Sequence, residues 1–112
     1  MAILDKPDLR TTTFAPAGTT QATATAVKHK HVLTATFAIT ATGAILQQQF
    51  CATTEEGTIH NGNGNTAANL EVYPWSGAAF NGRSANSSLS LPPGKGCRWV
   101  YLNSTTIGLI FS

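Results

Sequence analysis

The stretch from Glu71 to Leu102 sets the tightest limit on what this chain can fold into. Three short apolar runs in it are separated by turn-forming clusters at Pro74 to Gly77 and Pro92 to Gly96, with Asn81-Gly82 between them. That punctuation predicts a strand, turn, strand, turn, strand succession. Leu70 and Val72 lead into Pro74, Leu89 and Leu91 point inward from a short strand over Ser87 to Leu91, and Cys97, Trp99 and Tyr101 alternate with Arg98, Val100 and Leu102. Ile107, Leu109 and Phe111 close the chain after a polar turn at Asn103 to Thr106. Both faces of these last two strands carry apolar side chains, which predicts burial on two sides.

Upstream, Leu33, Ala35, Phe37 and Ile39 share one face of a period-two pattern, the signature of a half-buried strand over residues 31 to 40. Gly43 breaks it, a second run from Ile45 to Ala52 follows with Leu46, Phe50 and Ala52 on one side, and a hairpin through Ala41 to Ala44 is expected to join the two. Glu55-Glu56-Gly57 reads as a turn and Asn61-Gly62-Asn63-Gly64-Asn65 as a loop tip. Thr, Ala, Ser, Gly and Asn dominate the composition, which favours β structure over helix. The expected fold is all-β, a small antiparallel β-sandwich or jelly-roll-like domain of about seven to eight strands.

Residues 1–28 read differently from the rest. They carry few large apolar side chains and no sustained period, so they are expected to form an extended N-terminal arm ahead of a β-sandwich domain over 29–112. Such a segment is either disordered, as termini often are, or a strap laid on the sheet edge of a neighbouring subunit. In the second case Ile3, Leu4, Leu9 and Phe14 are its anchors.

Chemistry-bearing motifs are sparse. Only 11% of the 112 residues are charged and the formal net charge is +2, so nucleic acid and anionic membrane are not expected partners. There is no hydrophobic leader after Met1 and no apolar run long enough to span a bilayer, so the chain is expected to be made in the cytoplasm and to stay there or leave by lysis or assembly. Adjacent Glu55 and Glu56 point to opposite sides of extended chain and make a poor catalytic dyad. Gly94-Lys95-Gly96 lacks the rest of a phosphate loop, and no nucleophile elbow or catalytic cysteine motif is present, so no enzyme and no cofactor are expected.

His29 and His31 share a strand face that His60 could join, but flanking Lys28 and Lys30 and the lack of a nearby acid weigh against a metal. An exposed or interface strand end is the competing reading. Cys51 and Cys97 lie outside any C-x-x-C spacing and read as small buried hydrophobes in facing strands. Asn86-Ser87-Ser88 and Asn103-Ser104-Thr105 match the N-glycosylation acceptor pattern but read as ordinary surface turns.

The series N-L-E-V-Y-P-W-S-G-A-A-F-N-G-R-S-A-N-S-S-L-S-L-P-P-G-K-G-C-R-W-V-Y-L, with Q-A-T-A-T-A at 21 to 26 and the segment at 31 to 40, resembles small tailed-bacteriophage virion structural proteins of the capsid decoration (cement) type. The matching positions are Val72, Tyr73, Pro74, Gly77, Asn81, Gly82, Asn86, Leu89, Leu91, Gly94 and Lys95; the chain departs from that pattern at Gln47 and in its last strand, Ile107 to Phe111. The resemblance implies a homotrimer of β-sandwiches on the outer capsid of a virion. Its partner would be the major capsid protein, gripped by the arm, with Trp75 and Phe80 at the subunit interface or capping the sandwich core. The competing expectation is a tail-fibre or appendage component holding a host receptor through loops Gly57 to Asn69 and Asn103 to Thr106. A cellular carbohydrate-binding module would need a stacking platform that these loops do not carry.

Overall fold

A computed structural model describes residues 12–28, 30–47, 56–64 and 68–111. The described chain is all-β, with ten strands: β1 (Thr12–Phe14), β2 (Thr25–Ala26), β3 (His31–Thr34), β4 (Gly43–Ile45), β5 (Glu56–His60), β6 (Leu70–Tyr73), β7 (Ala79–Phe80), β8 (Leu89–Leu91), β9 (Gly96–Asn103) and β10 (Thr106–Phe111). Two sheets result, one in the order β1-β3-β5-β9-β10-β7 and one in the order β2-β4-β6-β8. Among the described residues no helix is long and apolar enough to cross a membrane.

Both sheets are mixed rather than antiparallel. From β1 to β6 the chain alternates between sheets, and each strand lies parallel to the one two places earlier: Thr12 pairs with Val32, Val32 with Ile59, Ala44 with Val72. The first half is therefore a stack of rungs, β1-β2, β3-β4 and β5-β6, in which every connection crosses to the other sheet. Parallel neighbours require such crossovers, whereas a hairpin returns within one sheet. The expected hairpin at Ala41 to Ala44 is thus absent. Instead Ala41 N–H donates to Ala38 O at 3.0 Å and Thr42 N–H to Gly18 O at 2.9 Å, turning the chain across the fold.

The strand expected over 31 to 40 stops at Thr34, and its faces are reversed. Val32 and Thr34 point inward, Leu33 is half-buried, and Ile39 is 61% exposed; Phe37 is buried from a loop rather than from the strand. A one-residue shift of register exchanges the two faces, and here the polar Thr34 is the one inside because its hydroxyl finds partners there. Glu56 and Gly57 belong to β5 rather than to a turn. A Cβ on Gly57 would overlap the Lys30 carbonyl and the Trp99 ring, so this strand position takes only glycine without displacing β3 or β9.

Residues 12–28 belong to the folded unit, not to an arm. β1 and β2 are the outermost strands of the two sheets at one end, Val27 is buried, and Tyr73 Oη donates to Thr19 O at 2.9 Å. Nothing in the composition of this Thr-rich segment announced that, because it is held by main-chain ladders rather than by its own apolar face. The rest of the expected 1–28 arm, residues 1–11 with Ile3, Leu4 and Leu9, lies outside the described residues.

The second half follows the sequence pattern. β6, β8, β9 and β10 send Leu70, Val72, Leu89, Leu91, Cys97, Trp99 and Ile107 into one core shared with Val32, Ala44, Leu46 and Ile59. β9 and β10 form an antiparallel hairpin about Ser104 and Thr105, with Leu109 opposite Trp99. Their outer face is only partly covered: Val100 is half-buried and Leu102 is 46% exposed, so the two-sided burial expected there is not found.

Candidate functional site

Where the rungs end, main-chain hydrogen-bonding groups are left over. β1 is bonded to β3 on one side and β2 to β4 on one side; no described strand pairs with their other sides. An unpaired sheet edge is a template for another strand. Two such edges sit together on the outermost rung, where residues 1–11 join the chain. Past the end of β1 a cleft of about 310 Å³ opens between Thr13 to Pro16 on one wall and Ala35 to Phe37, which follow β3, on the other. Phe14, half-buried against the core, and buried Phe37 and Pro16 make much of its lining apolar. Of the residues expected to anchor an arm, only Phe14 is described, and it lines this cleft.

The cleft's second wall is fixed by a buried polar node that sequence reading took for a loop tip. Asn61 is 0% exposed. Its Nδ2 donates to Leu91 O at 2.7 Å and Ala68 O at 3.3 Å, while its Oδ1 accepts from Asn63 N–H at 2.9 Å and Thr34 Oγ1 at 3.4 Å. Asn63 in turn brackets Phe37, accepting from its N–H at 3.3 Å and donating to its carbonyl at 3.2 Å. Gly62 N–H donates to Thr34 Oγ1 at 3.1 Å. One short segment thus satisfies the Thr34 hydroxyl of β3 and main-chain groups of β8 and two loops at once, which is what a buried amide must do to be tolerated. The only sequence signal was the alternation of Asn with Gly, which looks the same in an exposed turn.

Trp75 and Phe80 lie inside their own chain, 7% and 0% exposed. The Trp75 indole donates to Ser104 O at 2.8 Å, tying the β9-β10 turn down, and its ring lies 5.8 Å from that of Tyr101. Both side chains pack within their own chain, with little of either left at its surface.

The remaining polar groups are spread over the outer faces. On the six-stranded sheet His31 Nδ1 is 2.9 Å from Thr58 Oγ1, and Arg98 pairs with Glu56 at 3.2 Å with both side chains about half exposed. An ion pair so exposed contributes about 0–1 kcal/mol. His60 is opposite Leu33 rather than His31, His29 lies outside the described residues, and among the described residues no group of three or more metal-ligating side chains forms.

On the four-stranded sheet Glu71 accepts from Ser88 Oγ at 2.8 Å and Ser90 Oγ at 2.6 Å. This carboxylate and the His31 and His60 imidazoles stand on different sheets, so no Ser-His-acid relay joins them. Burial pushes the Cys97 thiol from 9.0 up to about 11, which makes it a poor nucleophile at neutral pH; Cys51 lies outside the described residues. In the loop expected to face outward over Gly57 to Asn69, residues 57–60 are strand and Asn61 and Asn63 are buried, while the loop at Asn81 to Asn86 and the β9-β10 turn at Ser104 and Thr105 are exposed.

No protein-family model, no curated protein and no solved structure matches the chain.

Proposed function

We propose that the protein is a bacteriophage capsid decoration (cement) protein, a β-sandwich that binds as a homotrimer to the outer surface of the virion and clamps neighbouring major capsid subunits. The observation that carries this reading is the open outer rung: β1 and β2 each have one edge that no described strand pairs, and an apolar cleft lies past the end of β1, in a chain whose residues 1–11 carry Ile3, Leu4 and Leu9. Strand addition to such an edge gives main-chain affinity, and apolar side chains in an adjoining cleft give register. Three copies acting together turn weak single contacts into tight attachment. The low charge of the chain favours apolar and hydrogen-bonded contact over salt-sensitive contact. Of the positions carrying the resemblance to cement proteins, Gly77, Asn81, Gly82, Asn86 and Gly94 fall in turns and Val72, Tyr73, Leu89 and Leu91 in strands β6 and β8, so they speak for a shared framework.

The test is attachment of the full chain, and of a chain lacking residues 1–11, to capsids stripped of decoration, imaged at a resolution that shows small surface knobs. The full chain is expected at threefold positions over the shell, and the shortened chain is expected to keep its denaturation midpoint but not to bind. Undiminished attachment without residues 1–11 would refute the arm. Density confined to a tail or a single vertex would refute the cement role and favour a receptor-binding appendage.

A further inference from the structure

The sequence Asn-Gly occurs three times, at 61–62, 63–64 and 81–82. In this dipeptide the glycine nitrogen can attack the preceding side-chain amide, because no Cβ on the glycine blocks the approach. The structure separates the three copies sharply. At Asn61 the side-chain amide is engaged at both ends and the attacking nitrogen, Gly62 N–H, is donating to Thr34 Oγ1. At Asn63 the amide is clamped on both main-chain groups of Phe37. Asn81 is the opposite case. It is exposed, in a turn closed by Arg83 N–H donating to Phe80 O at 2.8 Å, and among the described residues no hydrogen bond engages its side chain or Gly82 N–H. Gly82 has φ +85°, and a Cβ there would meet nothing within 4 Å, so no neighbouring group crowds the attacking nitrogen's residue.

We infer that Asn81 is a self-modification site of this protein, independent of its assembly role. Gly82 nitrogen, losing its proton to solvent base, bonds to Asn81 Cγ; the Cγ–Nδ2 bond breaks and ammonia leaves, closing a five-membered succinimide. Water opens the ring at either carbonyl, giving aspartate or isoaspartate at position 81. No cofactor or oxidant is needed. Either product removes one unit from the formal net charge of +2 and sets a carboxylate near Arg83 in sequence. Isoaspartate also adds a carbon to the main chain just past the Asn81 N–H to Ile107 O bond of 2.8 Å, the last one holding β7 to β10. The reaction would therefore loosen one edge of the six-stranded sheet, at the opposite edge from β1, as the protein ages.

The experiment is incubation of the full-length folded protein at mildly alkaline pH, followed by peptide mapping by mass spectrometry with isoaspartate detection. The mass gain is expected at Asn81, at least about tenfold faster than at Asn61 or Asn63, whose reaction must wait for local opening. In denaturant the three rates are expected to converge, and Asn81→Gln should remove the fast phase while leaving the denaturation midpoint unchanged. Conversion of Asn61 or Asn63 as fast as Asn81 in the folded protein would overturn the inference. So would an Asn81 that stays intact while the denatured chain reacts.

Discussion

Truncating Asn61 is the sharpest test of how this fold is held. Asn61→Ala strips partners from the Leu91 and Ala68 carbonyls, the Asn63 amide and the Thr34 hydroxyl, all in residues that are buried. Two of the lost bonds are short, at 2.7 and 2.9 Å, and two are long, at 3.3 and 3.4 Å. Counting about 1 kcal/mol for each short bond, half that for each long one, and part of the desolvation penalty for the groups left unpaired gives a loss of about 3–5 kcal/mol. A domain of this size has about 5–15 kcal/mol in all, so the variant should sit near the edge of stability. The assay is equilibrium urea unfolding of the variant against the parent, with Asn81→Ala as the exposed control, expected to change stability by less than about 0.5 kcal/mol. Asn61→Asp, which turns a donor into an acceptor facing two carbonyls, should fall at least as far as Asn61→Ala. A loss below about 1 kcal/mol for Asn61→Ala, with an unchanged denaturant slope, would refute the view that this amide bears the junction of β3, β8 and the cleft wall.

Two further outcomes follow from the core. Because Cys97 is held as a thiol with its pKa raised from 9.0 to about 11, its contribution to stability is complete below pH 9 and is lost as pH rises through 11. Unfolding curves of the parent should therefore drop more steeply over that window than those of Cys97→Ala, and parallel curves would contradict the assignment. Gly57→Ala should destabilise by about 1–3 kcal/mol, since its methyl meets the Lys30 carbonyl and the Trp99 ring. Gly64→Ala, whose nearest neighbour is Thr36 Oγ1 at 3.7 Å, should be close to neutral, and equal losses at the two sites in thermal melts would refute the contact argument.

The sequence by itself determined the all-β class, the turns of the second half and the inward residues of β6, β8, β9 and β10. It could do so because alternation fixes which face of a strand is apolar, and Pro, Gly and Asn mark where the chain turns. The same alternation misled at residues 31 to 40, where the buried set includes Thr34, a polar residue admitted only because Asn61 and Gly62 complete its hydrogen bonds. Strand direction and partner were beyond it. A ladder is made of main-chain groups that every residue carries alike, so nothing in the side chains of β1 to β6 says parallel, and nothing in the Thr-rich residues 12–28 says outermost rung. The cleft and its open edges share this origin: they exist because strands far apart in sequence are stacked, and Asn61 becomes a buried junction only when the carbonyls of Ala68 and Leu91 are brought to it. Local pattern set the faces, and tertiary structure decided which main-chain groups of the described residues were satisfied and which were left unpaired.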